Sequence, residues 1–553
     1  MNRFKLLDNT MRTFLTCAAL MAGFAAAIAV EPGKDQRPAP LFNDLGNHRH
    51  PITTKSKLAQ RYFDQGFTLC FNFNHAEAIR SFTAAATIDP DCAMAWWGVA
   101  FAYGPNINMP MLPPAVPKAW EALQKAVALR DKASAKERDY IDALAKRYVA
   151  EAVTNRAHLD QAFADGMREV AQKYPDDLDA QTLFAEALMD TSPWNYWQPD
   201  LTPKPNAKEA LAVIESVLKR VKHHPGADHL YIHLTEAGPN PEKAERSADR
   251  LGGFAPGAGH LVHMPSHTYV RVGRYHDATR ANEKASLSDE SYLSQCKQQG
   301  MYPGGYYPHN VHFLWFATDL EGRSADSIKA AKKVSAYTTD LRCGAMEGPR
   351  QRYLHLLAYA RFGKWDEILA DRDPGADYPF DQAMWHYTRG LAFAAKNRAG
   401  EAAKEYTKFV ELEKNEKVIA MDTPYFPGTK ILAIADKVLA GKVAWAQGKH
   451  IDAIQQLREG AKLQDAMPYM EPPYWYYPVR ESLGAALLSS GKPADAETEF
   501  REVLKHFPAS GRALYGVEAS LRQQGKDDDA KKAQRDFRKA WKRADVEIDL
   551  AWF

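Results

Sequence analysis

Small and aromatic side chains recur along the chain at offsets that suit paired helices. Gly66 is followed by Ala78, Phe82, Ala85 and Pro90, at successive offsets of 12, 4, 3 and 5 residues. Offsets of three and four residues place side chains on one face of a helix, and a proline ends the helix that precedes it. The pattern therefore predicts two antiparallel helices that pack closely at their small residues.

The same pattern returns further along the chain, which indicates an internal repeat. Between residues 105 and 225 prolines interrupt it, although the run Asp177–Met189 still has helical character. The downstream units are marked by Gly273, Tyr275, Ala278 and Ala285; by Gly363 and Trp365; by Gly390, Phe393 and Ala402; by Gly441, Gly448 and Ala453; by Gly484, Gly491, Ala496, Phe500 and Pro508; and by Gly525 and Ala530.

In spacing and register these units resemble the tetratricopeptide repeat (TPR), a helix-turn-helix unit of about 34 residues. Trp96 and Tyr103 stand at the Trp and Tyr positions of the second unit. The resemblance covers most of residues 58–540 and implies an all-α fold, a superhelical solenoid of TPR-type helix-turn-helix repeats. It also implies a concave groove lined by the first helix of each repeat.

Three stretches, Ala93–Gly98, His224–His229 and Pro256–His267, are similar to segments of a group of bacterial secreted TPR proteins with a His-rich central region. This resemblance supports the fold and a bacterial setting. It implies no particular activity.

These signals divide the chain into five predicted segments. The last helix, from Lys526 to Lys542, is rich in Lys and Asp, as expected for the polar cap of a repeat array. The segments are 1–29, a signal peptide; 30–57, a Pro-rich linker or strap; 58–222, N-terminal TPR-like helical repeats; 223–345, central His-rich TPR repeats; and 346–553, C-terminal TPR repeats with the capping helix.

The first 29 residues have the pattern of a secretory signal. Arg3, Lys5 and Arg12 precede an apolar run from Phe14 to Val30, and Ala27-Ile28-Ala29 supplies the small residues of a cleavage site. The alternative is an uncleaved anchor, although about 17 residues is short for a membrane span. We therefore expect a periplasmic or secreted protein with no membrane span after signal cleavage.

Charge and cysteine content disfavour two functions, nucleic-acid binding and metal binding through cysteines. The chain carries 71 Lys plus Arg and 69 Asp plus Glu, and without residues 1–29 both counts are 68. This balance disfavours a nucleic-acid partner, which requires a basic excess. The cysteines of the mature chain match no CxxC metal signature, and they either form up to two disulfides or stay buried as thiols; they are Cys70, Cys92, Cys296 and Cys343.

Histidine is concentrated in one part of the chain, since ten of the 18 lie within residues 223–312. Pro225 and Pro256 close two repeats, so a first helix follows each of them, and a third begins near Pro308. Histidines at positions 2, 5, 6 or 9 of these helices, with one carboxylate, then share the inner face. These residues are His229, His233, Glu236, His260, His263, His267, His309 and His312.

Imidazole is the commonest transition-metal ligand, and paired histidines four residues apart on a helix are a known metal-binding geometry. Imidazole with one carboxylate and no thiolate suits copper, zinc or iron and disfavours calcium or magnesium. The eight residues therefore predict a poly-histidine transition-metal site in the concave groove. The alternative is a hydrogen-bonding wall for a peptide or an anionic ligand. His223, His224 and His276 fall outside this register and are predicted to have no special role.

Several features surround the predicted site. The stretch 288–307 is predicted to be a long loop, either a lid over the histidines or a surface insertion. The aromatic clusters at 194–197 and 474–477 are interpreted as inter-repeat core, with stacking on a ligand as the alternative. Arg350 and Arg352 either bind an anionic group or are solvated.

Sequence motifs leave three functions open. The chain contains no GxGxxG, P-loop, HExxH or GxSxG motif, which disfavours nucleotide enzymes and serine hydrolases of familiar design. The protein is then an exported metalloprotein, with or without enzymatic activity; a non-enzymatic interaction scaffold of the cell envelope; or a metal storage or delivery protein. The expected partner is a peptide, protein or small-molecule ligand in the groove.

Overall fold

The structure is a computed structural model that describes residues 39–296, 301–338, 352–423 and 426–550. Over these ranges every regular element is helical, and the β contacts are isolated bridges. The predicted fold class, an all-α solenoid of helix-turn-helix repeats, is confirmed. No helix within these ranges is both long and apolar enough to cross a membrane.

Some of the sequence predictions fall on residues outside the described ranges. These are the signal peptide at 1–29, the cysteine Cys343 and the arginine Arg350. The other cysteines of the predicted mature chain are buried free thiols, namely Cys70, Cys92 and Cys296.

The chain forms two compact units. Counting described residues only, the first unit comprises 39–268 and 284–307, and the second comprises 269–283 and 308–550. In each unit consecutive helices pack against one another, and most of them are joined by a few residues, which makes sequence neighbours antiparallel.

In chain order the α-helices are α1 (Lys57–Phe71), α2 (His75–Ile88), α3 (Ala93–Ala102), α4 (Val116–Ala128), α5 (Ala135–Ala145), α6 (Ala157–Lys173), α7 (Leu178–Asp190), α8 (Pro205–Arg220), α9 (Pro225–Glu236), α10 (Glu245–Leu251), α11 (Gly259–His263), α12 (Pro265–Arg271), α13 (Tyr275–Cys296), α14 (Tyr307–Leu320), α15 (Ser324–Thr338), α16 (Leu354–Arg361), α17 (Trp365–Ala370), α18 (Pro379–Ala395), α19 (Ala399–Glu413), α20 (Glu416–Ile419), α21 (Gly428–Ala446), α22 (His450–Asp465), α23 (Val479–Ser489), α24 (Pro493–His506), α25 (Gly511–Gln523) and α26 (Asp527–Ala540). A π-helical turn occupies Tyr302–Tyr306.

Side-chain caps fix where several of these helices begin. Ser56, Asn74 and Asp177 each accept a hydrogen bond from a backbone N–H in the first turn of α1, α2 and α7 respectively. At the start of α5, Ser134 and Glu137 form a capping box, in which each side chain accepts from the backbone of the other residue. These caps satisfy N–H groups that a helix leaves without an internal partner.

Close helix packing depends on a phenylalanine held between two glycines. In the first unit Phe82 is fully buried, and a Cβ placed on Gly66 or Gly98 would lie 2.8 Å or 2.5 Å from its ring. Any side chain at either glycine would therefore push the helices apart.

The second unit repeats this arrangement at the same 16-residue spacing. Phe500 is fully buried between Gly484 and Gly516, where a Cβ would lie 2.8 Å and 2.5 Å from the ring. The small-residue positions of the sequence pattern thus have one physical role in both units, which is to admit an aromatic ring between three consecutive helices.

Residues 39–56, which we call the strap, pack along the first unit. The Gln65 side chain accepts from the backbone N–H of Phe42 and donates to the carbonyl of Pro40. Further along, Thr53 donates to Glu137 through both its backbone N–H and its hydroxyl. The strap includes much of the predicted Pro-rich segment 30–57, and these contacts fix it to the helices.

One buried carboxylate anchors the middle of the strap. Asp179 of α7 accepts hydrogen bonds from His48 Nε2 at 2.9 Å and from His50 Nδ1 at 2.7 Å, and His224 Nε2 lies 3.2 Å from the same carboxylate. Burial disfavours the charged form of Asp179, but the three imidazoles outweigh it, so its pKa lies well below the ordinary value.

The pKa of the strap histidine His50 shifts in the opposite direction to that of Asp179. Burial alone would lower the pKa of His50, but its hydrogen bond to Asp179 and the charge of that carboxylate outweigh burial and raise the pKa. The lowered pKa of Asp179 adds stability to the folded state above about pH 4. The raised pKa of His50 adds stability that is complete below about pH 6.5 and is lost as the pH rises through the folded-state pKa. Docking of the strap should therefore be strongest between these two values.

We predict that Asp179→Asn releases the strap. Removing one partner of a buried ion pair costs about 3–5 kcal/mol, so amide hydrogen exchange in peptides from 39–56 should accelerate at least tenfold at pH 6. In the unchanged protein the protection, corrected for intrinsic exchange rates, should fall between pH 6 and pH 8.5. Asp176→Asn is the matched control, because the Asp176 side chain is 97% exposed. Equal exchange in the two variants would contradict the role of Asp179.

Candidate metal centre

Helix α9 is buried on every side and carries the first two predicted ligands. All of its residues from Pro225 to Glu236 are buried, and the His224 side chain caps it by accepting from the N–H of Ala227. His229 and His233 lie one turn apart with ring centroids separated by 4.8 Å, and they are 1% and 3% exposed. Their imidazoles therefore face the interior of the first unit.

A third imidazole comes from the short helix α11. The ring centroid of His260 lies 4.9 Å from that of His229 and 6.5 Å from that of His233. One ring nitrogen from each of the three histidines lies within 4.8 Å of the other two. Three buried nitrogens at this separation form a group that can surround one ion.

Hydrogen bonds fix which nitrogen of each α9 histidine carries the proton. His229 Nδ1 lies 2.7 Å from the carbonyl oxygen of Phe71, and His233 Nδ1 lies 2.8 Å from Glu236 Oε1. Because both partners only accept, Nδ1 carries the hydrogen and Nε2 keeps a lone pair. Among the described residues neither Nε2 atom has a hydrogen-bond partner, although both are buried.

Both imidazoles are held neutral. Burial lowers the pKa of His229 well below its ordinary value, and a proton on the neighbouring His233 would lower it further. Burial also lowers the pKa of His233, in spite of the opposing effect of Glu236. A neutral imidazole with a bare Nε2 is the form that binds a transition metal.

Glu236 lies behind the imidazoles and connects two of them. Its Oε1 accepts from His233 Nδ1 at 2.8 Å, and its Oε2 accepts from His267 Nδ1 at 2.5 Å. Burial would raise the pKa of Glu236, but the two histidines outweigh burial and lower it. The sequence predicts Glu236 as a ligand, whereas both of its oxygens face ring N–H groups, a position from which a carboxylate orients metal-binding histidines.

A second pair of histidines continues the cluster. His263 Nε2 and His267 Nε2 lie 2.8 Å apart, and Ser266 Oγ lies 3.4 Å from His263 Nδ1. The ring of His263 is 5.8 Å from that of His260, and the ring of His267 is 5.8 Å from that of His233. The five imidazoles of the first unit are therefore contiguous. All five are at most 3% exposed, so the protein shields every one of them from solvent.

The other two predicted ligands, His309 and His312, belong to the second unit. The ring of His309 contacts Phe313 edge-on at 5.5 Å, and that of His312 stacks on Trp315 at 5.2 Å. Burial lowers the pKa of His312 to about 4, so it is neutral at physiological pH.

Aromatic rings surround the three-histidine group, and one of them, Phe73, lies outside the aromatic stretches that the sequence marks near the site. Phe73 contacts the rings of His229 and His260 at 4.7 Å and 5.3 Å, and Tyr306 contacts His260 at 4.7 Å. Trp194 contacts His233 edge-on at 5.3 Å. A ring wall of this kind reduces access of water to the imidazoles and accounts for the lowered pKa values of His229 and His233.

The backbone at Phe73 has a conformation that L-residues rarely adopt. Its φ is +53°, in the left-handed region, where glycine is the usual residue. The turn after α1 is closed there by hydrogen bonds from the N–H groups of Phe73 and Asn74 to the carbonyls of Cys70 and Leu69. A large side chain at this position is directed onto the histidines at the expense of backbone strain.

In its described parts, 288–296 and 301–307, the stretch is helical and not the predicted loop. Helix α13 continues to Cys296, because no proline or glycine interrupts the sequence from Tyr275 to that point. Further on, the Tyr302 hydroxyl donates to Asp289 at 2.8 Å and accepts from the backbone N–H of His260 at 3.2 Å. Through its hydroxyl group, Tyr302 therefore links α13 to the start of α11.

The cluster around Asp179 resembles a metal site in composition but not in protonation. His224 Nδ1 accepts the N–H of Ala227, so the neutral ring carries its proton on Nε2, the atom that faces Asp179. A neutral imidazole whose two nitrogens are used in this way has no lone pair left for a metal. The hydrogen bonds of His48 and His50 to Asp179 hold the strap.

Comparisons with known proteins leave the function open. No family model matches the chain, and a search of curated proteins also finds no match. Solved structures that align with it include the Cut9-Hcn1 hetero-tetramer of APC/C (13% identity, 85% of this chain and 78% of that chain, TM-score 0.31) and yeast Tom70 (13% identity, 89% and 93%, TM-score 0.29). The TPR domain of P58(IPK) aligns with 13% identity over 85% of this chain and 98% of that chain, with a TM-score of 0.22. Scores this low carry no functional argument.

We predict that Phe73→Gly lowers the stability of the first unit. Glycine relieves left-handed strain of about 1 kcal/mol, but losing a buried phenylalanine ring costs about 3–5 kcal/mol, so destabilisation should dominate. Urea denaturation measures the change. Asn397→Gly is the control, since Asn397 has φ +58° and an exposed side chain, and its stability should change by less than about 1 kcal/mol. A Phe73→Gly protein as stable as the parent would show that the ring contributes no more to packing than the strain of about 1 kcal/mol that glycine relieves.

Proposed function

We propose that the first unit holds a transition-metal ion on His229, His233 and His260. The observation that carries this proposal is the pair of buried Nε2 lone pairs on α9, each with its Nδ1–H already used. Buried polar atoms are normally satisfied, and an unsatisfied one in a native fold calls for an explanation. A bound cation would satisfy both Nε2 lone pairs and leave the Nδ1–H hydrogen bonds of His229 and His233 as they are.

The donor set limits which ion is suitable. Imidazole nitrogens favour zinc, copper or iron, and the carboxylate Glu236 supports two rings from the side remote from their Nε2 atoms. When bound, such an ion acts as a Lewis acid or a redox centre, and three protein ligands leave a position for substrate. Storage or delivery of the metal uses the same ligands without chemistry.

The pair His263 and His267 extends the proposal. Their Nε2 atoms are 2.8 Å apart, which suits a direct hydrogen bond and also two neighbouring ligands of one ion at about 2.0–2.1 Å from each nitrogen. Because Glu236 bonds both His233 and His267, the two sets of imidazoles are coupled through one carboxylate. The group therefore has enough donors for a second ion beside the first.

The alternative function is a non-enzymatic interaction scaffold of the cell envelope. The observation in its favour is the architecture itself, because arrays of helix pairs commonly bind peptides or proteins. The secretory pattern of residues 1–29 supports a periplasmic or secreted location for either function.

We predict that untagged protein purified from metal-replete cells retains roughly one or two transition-metal ions per chain after dialysis, by elemental analysis. His229→Ala combined with His233→Ala should remove the ion of the three-histidine group. His158→Ala is the matched control, because His158 is exposed on α6 of the same unit. Metal-free parent protein would contradict the metal proposal and favour the scaffold.

A substitution of Glu236 separates an orienting role from direct ligation. Glu236→Gln keeps the shape of the side chain but accepts through one oxygen only, so metal affinity should fall about 10–100-fold while the stoichiometry at saturation is unchanged. Competition with a chromophoric chelator measures the affinity. Glu242→Gln, at an exposed position just after α9, should bind as the parent does. If Glu236→Gln instead abolishes binding as fully as loss of the histidines, Glu236 is itself a ligand.

A further inference from the structure

Two partly exposed side chains, Trp194 and Asn108, border the three-histidine group. Trp194 contacts the ring of His233 edge-on at 5.3 Å, and its indole Nε1–H donates to Asn108 Oδ1 at 3.0 Å. Both residues have solvent-accessible surface, whereas His233 is only 3% exposed. Trp194 therefore reaches from the surface of the first unit to a proposed metal ligand.

Asn108 joins Trp194 to a second ring of the site. Burial raises the pKa of Tyr306 above its ordinary value, and a hydrogen bond that the Asn108 side chain donates to it opposes that shift. Tyr306 in turn contacts the ring of His260 at 4.7 Å. One side-chain amide therefore ties together the two rings that lie against His233 and His260.

The turn that carries Asn108 is itself held in place. Asn106 and Met109 exchange backbone hydrogen bonds, and the backbone N–H of Asn108 donates to Asn106 Oδ1 at 2.9 Å. The buried side chain of Arg147 donates to the carbonyl of Pro105 at 3.1 Å. Asn108 thus presents its side-chain amide from a fixed turn.

Trp194 lies on a short turn between two fixed points. On one side, the Thr191 hydroxyl accepts a side-chain hydrogen bond from the first turn of α8 at 2.8 Å. On the other side, Trp197 Nε1–H donates to the carbonyl of Leu234 in α9 at 3.0 Å. The turn 192–195 between these points belongs to no helix, so it can move without disturbing the helices on either side.

The backbone of Trp194 is strained in this position. Its φ is +62°, in the left-handed region that residues other than glycine rarely adopt. Such a conformation persists only where surrounding contacts hold it, and it recurs in ligand clamps and switch regions. Loss of the hydrogen bond to Asn108 would therefore release strain, which favours movement of the indole away from His233.

We propose that Trp194 is a gate over the three-histidine group, held closed by Asn108. In the closed state the rings of Trp194 and Tyr306 cover two imidazoles of the group. Movement of the turn 192–195 opens a path by which water and a hydrated metal ion reach them. This regulation of the site rests on the proposed function, whereas the solvent access that the gate controls exists with or without a metal.

Reaction of histidine with diethyl pyrocarbonate measures that access on the metal-free full chain at pH 7. The reagent attacks neutral imidazole, and burial lowers the pKa of His233, so protonation does not protect it. In the parent, mass spectrometry of peptides should show His233 reacting far more slowly than His158, which is exposed. Asn108→Ala and Trp194→Phe each remove the hydrogen bond that closes the gate, and each should speed the reaction of His233 about fivefold.

Controls separate opening of the gate from unfolding. Asn195→Ala changes an exposed side chain of the same turn, and the reaction of His233 should keep the parent's rate. Amide hydrogen exchange across α9 should be the same in all variants, because the unit stays folded. If Asn108→Ala unfolds the unit, Trp194→Phe decides the test, since it keeps an aromatic ring against His233.

Transfer of zinc from loaded protein to a chromophoric chelator is a second readout. Asn108→Ala and Trp194→Phe should speed it about fivefold with unchanged affinity, because a gate alters entry and exit together. A rate at His233 equal to that at His158 in the parent, or equal in the parent and both variants, would overturn the gate even if zinc binds. Faster reaction of His233 in variants of a protein that binds no zinc would support the gate and contradict the metal site.

Discussion

The complete burial of α9 is the constraint on which the candidate site depends. Every residue from Pro225 to Glu236 is removed from solvent, so each polar side chain on this helix must find a partner inside the protein. Asp228 pairs with Arg250, His229 donates to the carbonyl of Phe71, and His233 donates to Glu236. These bonds use the Nδ1–H groups and leave two Nε2 lone pairs directed into a protein interior.

Glu236 holds the rings of His233 and His267 in fixed orientations. A buried carboxylate is stable only when hydrogen bonds compensate the loss of water, and His233 and His267 provide them from two different helices. The same bonds fix the rotation and the tautomer of both rings. The histidines thus maintain their geometry through the protein's own contacts, and an ion that binds them has little ordering to impose.

Part of this site follows from sequence spacing. The pairing of His229 with His233, and of His263 with His267, follows from the helical period, and the density of histidine between 223 and 312 marks the region. The contribution of Phe73 does not follow, because it contacts a histidine more than 150 residues away in the chain. Phe73 also occupies a backbone conformation that its residue type disfavours, so local propensity argues against its position.

The sequence alone determined the helical repeat, because the offsets that join Gly66, Ala78, Phe82, Ala85 and Pro90 follow from helix period and side-chain size. It also determined which histidines share a helix face. Tertiary structure alone decided that these faces are buried, that Glu236 orients two imidazoles, and that His224 belongs to the strap anchor at Asp179. The reason is physical: protonation, tautomer and solvent access depend on contacts between residues distant in the chain, which periodicity cannot specify.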